Sequence, residues 1–238
     1  MITYPVSTPT SIGIANVELT ATNAVAVSRS PFTFSQQVHT YPGQMWSATV
    51  SIPPVRKDLA EPWVAFLLSL RGQTGTFLLG DPNNTTPRGT AKDYLVAVTG
   101  GLLLEDGDAL LLEDGDAMLF EEGAVTYLEV DGGGQTGGTI NLKGAPDNVS
   151  GYLLAGDYVQ FGAAASATLH KVLVDADTDS AGDLTIEIWP GLRAAPSDSA
   201  TVQFLNTVGR FRLSTNQQSW SINDSSAYGL SFDCMEAI

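Results

Sequence analysis

Apolar and polar residues alternate in the stretch Trp46-Ser-Ala-Thr-Val-Ser-Ile52, which is followed by Pro53-Pro54. Successive side chains of a strand point to opposite faces, so this alternation predicts a β-strand with one apolar face directed to a core. The same pattern recurs on both sides of the stretch, bounded by Gly, Pro, Asn and Asp. Its other occurrences include residues 32–38, 184–189, 209–213 and 228–234. The sequence therefore predicts a mainly β protein.

One segment, from Asp58 to Gly72, departs from this alternation. Its apolar residues have the i, i+4, i+7, i+8 and i+11 spacing of a helix that packs one face on a core. These residues are Leu59, Trp63, Phe66, Leu67 and Leu70. Asp58 and Glu61 have the spacing of a capping box, and Gly72 is a typical C-terminal stop. The segment predicts a helix over residues 58–71, with Trp63 and Phe66 in the core.

Strand-sized runs with Gly and Asp turns continue between about residues 93 and 202, and five of them predict a small barrel or sandwich. The last run of the chain, residues 205–238, is too short to form a domain alone. We expect it to complete the sheet begun by residues 1–90. The predicted organisation is a discontinuous domain, residues 1–92 plus 205–238, which carries an inserted β domain, residues 93–204.

The charge of the chain is concentrated in one segment. The 238 residues include 26 Asp and Glu against 11 Lys and Arg, a formal net charge of −15. Residues 93–142 hold 11 of these carboxylates and no Lys or Arg, so the rest of the chain is close to balanced. This composition argues against a protein that coats nucleic acid, which needs a basic face. No stretch approaches the roughly 18 to 20 apolar residues of a membrane span, so we expect no membrane insertion.

An acidic repeat with a period of eight residues occupies residues 102–123. The octet Leu102-Leu-Leu-Glu-Asp-Gly-Asp-Ala109 is repeated at 110–117, and a degenerate copy follows. One hypothesis is calcium binding, because hard cations prefer oxygen ligands. The candidate ligands are Asp106, Asp108, Asp114 and Asp116. Their spacing matches neither an EF-hand loop nor the nine-residue calcium-binding β-roll repeat.

Three other interpretations of the repeat remain open. Paired carboxylates could carry out acid–base chemistry as in glycosidases, although adjacent solvated acids lack the apolar pocket that separates their pKa values. An anionic loop could repel DNA from a nearby channel or steer a basic partner. The repeat could also be a solvated insertion whose acids keep its apolar residues soluble.

Motifs of known enzyme classes do not occur in the sequence. His39 and His170 are the two histidines, and Cys234 is the single cysteine, so neither a zinc-type ligand spacing nor an internal disulfide is indicated. The chain contains neither a Gly-x-Ser-x-Gly elbow nor a phosphate loop that ends in Gly-Lys-Ser/Thr. The glycine-rich run at 132–138 precedes a strand and predicts a hairpin connection. We therefore expect a protein that is not an enzyme and needs no cofactor.

Four features together resemble the distal tail proteins of long-tailed bacteriophages. The first two are the run that begins Pro31-Phe-Thr-Phe34 and continues to residue 54, and the helical segment 60–72. The third is Gly75-Thr-Phe-Leu-Leu-Gly-Asp-Pro82, and the fourth joins 156–161, 170–173 and 188–193. The resemblance covers about residues 31–90 and 150–213, and the acidic repeat lies outside it.

The resemblance implies a structural role in the virion, at the tail tip, for a chain made in the bacterial host cytoplasm. The fold that this resemblance implies is a β-sandwich that bears one α-helix. Six copies are expected to assemble as a ring. A second β domain, oligonucleotide/oligosaccharide-binding-like in some members and galectin-like in others, extends outward. The ring joins the tail tube protein to the tail hub protein, and DNA passes through its lumen without specific binding. The family has no catalytic residues to assign.

An alternative is a host-surface carbohydrate-binding module of a minor tail protein. The inserted domain contains several aromatic residues that could form a platform for a sugar ring. The candidates are Tyr152, Tyr158 and Trp189, together with Phe161. Aromatic residues in such runs more often belong to a core, and the sequence alone does not separate the two roles.

Overall fold

The structure, a computed structural model, describes residues 2–94, 128–222 and 227–238, and these are mainly β. The strands before residue 95 are β1 (Asn16–Arg29), β2 (Gln36–Arg56) and β3 (Phe77–Leu79). The next six are β4 (Leu128–Val130), β5 (Thr139–Lys143), β6 (Tyr158–Phe161), β7 (Thr168–Val172), β8 (Leu184–Trp189) and β9 (Thr201–Gln203). The last three are β10 (Gly209–Leu213), β11 (Trp220–Ile222) and β12 (Ala227–Glu236). One α-helix, α1 (Lys57–Ser69), occurs in this part of the chain.

Six of the strands form one antiparallel sheet in the order β1-β2-β12-β10-β3, with β11 paired to β12. The C-terminal strand β12 lies between β2 and β10, so the end of the chain completes a sheet that the first 80 residues begin. Val6 makes a parallel bridge to Phe77 and extends the sheet beyond β3. Residues far apart in sequence thus share one sheet.

The helix α1 packs on one face of this sheet. Trp63 and Phe66 contact Phe232 of β12, with ring centroids 6.4 and 6.5 Å apart, and Phe66 lies edge-on to Phe77 at 5.4 Å. The expected placement of Trp63 and Phe66 in the core is confirmed. Leu59, which the periodicity places on the same stripe, is exposed, whereas Ala60 in the same turn is fully buried.

The start of α1 differs from the prediction. Arg56 is the N-cap residue and makes no side-chain capping hydrogen bond, so the capping box expected from Asp58 and Glu61 is wrong. Pro62 is the sixth residue of the helix, beyond the N–H groups of the first turn, so its missing N–H removes a hydrogen bond to the carbonyl oxygen of Asp58. Packing of the apolar face therefore specifies this helix more than its cap does.

The other six strands close into an antiparallel barrel in the order β4-β5-β8-β7-β6-β9. The short strand β9 pairs with both β4 and β6, and this closes the barrel. The glycine-rich run 132–138 connects β4 to β5 as a hairpin, as predicted, and Gly132, Gly134 and Gly137 have positive φ. Inward-facing residues of the strands fill the interior. These include Leu128, Val130, Ile140, Leu142, Val159, Ile186 and Val202.

The mainly β class and the barrel are confirmed. The β-sandwich is not confirmed, because the described strands outside the barrel form a single sheet covered by a helix rather than two stacked sheets. The division into residues 1–92 plus 205–238 and 93–204 stays a prediction. The acidic repeat at 102–123 lies outside the described residues.

The neighbouring residues Leu67 and Leu68 allow a matched test of the helix orientation. Leu67 is 1% exposed and Leu68 is 58% exposed. We expect Leu67→Ala to lower the free energy of unfolding by about 2–5 kcal/mol, because it leaves a cavity in the core. Leu68→Ala should change it by no more than about 0.5 kcal/mol. Urea unfolding followed by tryptophan fluorescence measures both, and equal losses would contradict this orientation.

Candidate assembly surface

The hairpin of β1 and β2 extends far beyond the sheet. β12 pairs with β2 only from Ser47 to Arg56, so residues 36–46 of β2 pair with β1 alone. Every residue from Thr20 to Gly43 is exposed except the half-buried Ser30. We call this extension, residues 20–43, the ribbon. A two-stranded hairpin is marginally stable by itself in water, so the ribbon depends on what holds its base and what covers its faces.

One face of the ribbon is apolar. Val27 pairs with Val38 directly across the ladder, and Val25 lies two residues before Val27, so the three side chains share a face. These side chains are 47–61% exposed. His39 and Tyr41 lie on the opposite face in an edge-on contact of 4.6 Å. Exposed apolar residues that share one face are typical of surfaces that bind another protein.

The ribbon also corrects one prediction about strands. The alternation over residues 32–38 predicts a strand with its apolar members in a core. Residues 30–35 instead form the turn at the end of the ribbon, and Phe32 and Phe34 are exposed. Alternation predicts extended backbone, but it does not determine whether another element covers the apolar face.

The base of the ribbon is attached to the barrel through Trp46. Its indole N–H donates a 2.9 Å hydrogen bond to the carbonyl oxygen of Leu169 on β7. Its ring lies edge-on to that of Trp189 at 4.5 Å, a favourable aromatic geometry. Trp46 belongs to β2, so this one side chain joins the sheet to two strands of the barrel.

Two further hydrogen bonds hold the ribbon just beyond Trp46. The indole N–H of Trp189 donates to Asn23 Oδ1 at 2.7 Å, and the backbone N–H of Gly191 donates to Gln44 Oε1 at 2.7 Å. Asn23 pairs with Gln44 in the ladder, and a register shift follows between Asn23 and Val25. The barrel therefore contacts both strands of the hairpin at the base of the ribbon, at the rung where the register shifts.

A buried ion pair completes the contact between barrel and sheet. Arg193 donates from Nε and Nη2 to the two carboxylate oxygens of Glu236, at 3.0 and 2.5 Å. Glu236 Oε2 also accepts the backbone N–H of Trp46 at 3.2 Å. Since the side chain of Glu236 is 4% exposed, removal of Arg193 would leave a buried charge unpaired, which typically costs about 3–5 kcal/mol.

His170 lies next to this contact and is fully buried. Its Nδ1–H donates to the carbonyl oxygen of Pro190 at 2.6 Å, so Nε2 of the neutral ring accepts from Thr168 Oγ1 at 2.9 Å. Burial lowers the pKa of His170 from 6.5 to about 4, against the opposing effects of the Pro190 carbonyl and Glu236. The imidazole is thus held neutral as a packed part of the contact between barrel and sheet.

The candidate sugar-binding residues are not brought together on one surface. Tyr152 is buried in the barrel core beside Phe204, and burial raises its pKa to about 12. Tyr158 is buried where the barrel meets the sheet, and Trp189 packs on Trp46. The platform of Tyr152, Tyr158 and Trp189 stays a prediction, and all three rings make contacts within the protein.

The candidate calcium ligands lie outside the described residues, and so does the rest of the acidic repeat. They are Asp106, Asp108, Asp114 and Asp116. Within the ranges that the structure does describe, no three His, Cys, Asp or Glu side chains cluster as a metal site. Nor does any helix in 2–94, 128–222 or 227–238 have the length and apolar character needed to cross a bilayer.

The exposure of the ribbon and the contact at its base are not predicted by the sequence patterns. The ribbon is distinguished by the length of its strands. β1 and β2 have 14 and 21 residues, while a strand usually has about 5 or 6. The contact between barrel and sheet has no local signal, since Trp46 and Leu169 are 123 residues apart.

Comparison with known proteins identifies neither a matching family model nor a similar curated protein. The assignment of a role therefore rests on the geometry of the ribbon and its base, together with the resemblance of the sequence.

The burial of His170 predicts a dependence of stability on pH. Its pKa is lower in the folded chain than in the unfolded chain, so between pH 6.5 and about 4 the unfolded state binds a proton that the folded state does not. Stability contributed by this group is present above pH 6.5 and falls by about 3 kcal/mol as the pH drops to about 4. We expect His170→Gln to remove this part of the slope in urea unfolding.

The exposed His39 provides the matched control for this measurement. His39→Gln should keep the pH dependence of the native protein. An NMR titration of the His170 ring reports its pKa directly in the folded protein, so the prediction remains testable even if His170→Gln folds poorly. A folded-state midpoint near the ordinary value would contradict it.

Proposed function

We propose that this chain is a structural component of a phage tail tip, which assembles into a ring, six-membered as the resemblance implies. The observation that carries the proposal is the ribbon, a long and exposed two-stranded extension with one apolar face. An isolated hairpin of this kind gains stability when another surface covers that face. In this proposal a second copy of the chain covers that face.

The arrangement of the sheet supports a ring rather than a closed dimer. The ribbon leaves from β1 and β2 at one edge of the sheet, while β3, with the bridge from Val6, lies on the other side. A contact from the ribbon of one copy to a different surface of the next is heterologous, and heterologous contacts generate rings when the rotation closes. The outer edge of β1 is also long and pairs with no other strand in the described part of the chain.

The contact around Trp46 and Glu236 supports a role as a spacer between other components. A ring that joins a tail tube protein to a tail hub protein must keep its two domains in fixed relative positions. In this proposal the sheet with its helix forms the ring, as the β-sandwich domain of the family does. The barrel is the oligonucleotide/oligosaccharide-binding-like domain that extends outward, with one strand more than the five of that fold.

The hairpin of β1 and β2 carries little charge over residues 20–54, which suits a conduit for DNA. Arg29 is the one charged residue between Leu19 and Val55. A lumen lined by such a surface would let DNA pass, because few Lys or Arg side chains would bind its phosphates. In this proposal the chain has no catalytic role and acts in the virion.

The first test is the mass of the purified chain in solution. Light scattering should give a homo-oligomer with the mass of six copies of the 25.1 kDa chain, about 150 kDa. Negative-stain microscopy should show rings. A strictly monomeric chain that also fails to join purified tail tubes would contradict the proposal.

The second test addresses the apolar face of the ribbon. The double variant Val27→Asp with Val38→Asp places two charges on that face, and we expect it to dissociate the ring because charged groups lose hydration when buried. The matched control, Ser28→Asp with Gln37→Asp, places two charges across the neighbouring rung on the opposite face. Like charges directly opposite each other destabilise both hairpins in the same way. Dissociation of both variants to the same extent would show that the apolar face is not the contact.

A further inference from the structure

The end of the ribbon has a defined conformation and an exposed ring. The turn is closed by hydrogen bonds from Ser30 N to Ser35 O at 2.9 Å and from Phe34 N to Ser30 O at 3.0 Å. It leaves Phe32 91% exposed, and the Arg29 guanidinium lies over the Phe34 ring at 4.5 Å. The turn is ordered and holds the phenyl ring in water. Binding of this ring would therefore cost less conformational entropy than binding of a disordered loop.

A cavity that suits a phenyl ring lies at the opposite edge of the sheet. Its volume is about 230 Å³, and its walls come from β3, from the N-terminal segment before β1 and from the two segments that link sheet and barrel. An apolar cavity of roughly 150 Å³ is already large enough to hold benzene. The apolar wall residues are Ile14, Leu78, Leu79, Pro82 and Val208, and Asp81 adds a carboxylate.

The two surfaces have complementary charges. Arg29 lies three residues before Phe32, and it is the one charged side chain of the ribbon. Asp81 lies on the wall of the cavity, where one of its carboxylate oxygens accepts the backbone N–H of Asn83 at 3.0 Å. A cation beside the ring and an anion beside the cavity would fix the orientation in which the ring enters.

The turn cannot reach the cavity of its own chain. About ten residues of extended strand separate Gln44, where the barrel holds the ribbon, from the turn, a distance of roughly 30 Å. The cavity lies on the far edge of the sheet, beyond β12 and β10. The cavity that the turn can fill therefore belongs to another copy.

We propose that Phe32 of one copy inserts into the cavity beside β3 of the next copy, with Arg29 facing Asp81 across the contact. This inference rests on the proposed ring and names the two surfaces that join neighbouring subunits. Because the surfaces differ and lie on opposite edges of the sheet, each copy offers one turn and one cavity, and the contact can repeat around a closed ring.

Charge reversal tests the contact in the full-length chain. Arg29→Asp and Asp81→Arg should each shift the midpoint of ring dissociation on dilution to at least about tenfold higher concentration, because each brings like charges together. The two substitutions combined in one chain should restore the midpoint to near the native value. Asp58→Arg, at an exposed position on the helix, makes the same change of charge as Asp81→Arg and should leave the midpoint unchanged.

Cross-linking between two different variants tests the contact directly. A chain with Phe32→Cys is mixed with a chain with Thr85→Cys, whose residue 85 lines the cavity and is exposed. Oxidation should give a covalent dimer that forms in the mixture and not in either chain alone. The matched control replaces Thr85→Cys with Leu68→Cys on the exposed side of α1 and should give no dimer.

Two outcomes would overturn the inference and leave the proposed function standing. The first is normal ring formation with no cross-link between the two variants. Normal ring formation with no recovery of the dissociation midpoint in the doubly charge-reversed chain would also exclude this contact. Binding of the native chain to anionic vesicles that Phe32→Ala abolishes, with rings unchanged, would assign the turn to a lipid surface instead. A native chain that forms no ring would overturn the inference, and its failure to join purified tail tubes as well would contradict the proposed function.

Discussion

The hydrogen bond from the Trp46 indole to the Leu169 carbonyl is the contact on which the arrangement of this chain depends. Trp46 lies where three parts of the molecule meet, namely the sheet, the barrel and the base of the ribbon. The ion pair of Arg193 and Glu236 and the edge-on ring of Trp189 surround it, so water is excluded and each polar contact is strengthened. Arg210 of β10 makes a second connection to the barrel, since its backbone N–H donates to the carbonyl oxygen of Ala167 at 3.1 Å and its guanidinium donates to that of Ala165.

The same contact holds the base of the ribbon, which is the candidate assembly surface. A hairpin with both faces in water has little stability of its own, but its base is held on one side by β12 and on the other by the barrel. The chain thus presents an apolar face that its own fold does not cover. A structural subunit and a sugar-binding module make different use of such a face, because a subunit must contact its own copies whereas a module needs only its ligand.

The sequence predicted the elements better than their surroundings. The same alternation of apolar and polar residues occurs around Trp46 and around Phe32, yet Trp46 is buried by a barrel strand and Phe32 is in water. Local pattern reports the conformation of the backbone, whereas burial depends on partners more than 100 residues away. The helix was predicted well because its stripe is long, although its cap was not. Of the candidate site residues, Tyr152 and Tyr158 proved to be buried, since an aromatic side chain serves a core as readily as a surface.

The register shift after Asn23 separates the direction of the ribbon from its reach, two properties that would otherwise change together. A bulge bends a hairpin and increases its twist, and here it occurs at the rung that Trp189 and Gly191 hold. The direction of the ribbon is therefore set at that one rung, and its reach is set by the number of residue pairs beyond it. In the proposed ring, insertion or deletion of two residue pairs in the outer part would alter the span between neighbouring subunits, while the direction of the ribbon and the face of each side chain stay the same. Related assemblies of different diameter could arise in this way from one barrel and one sheet.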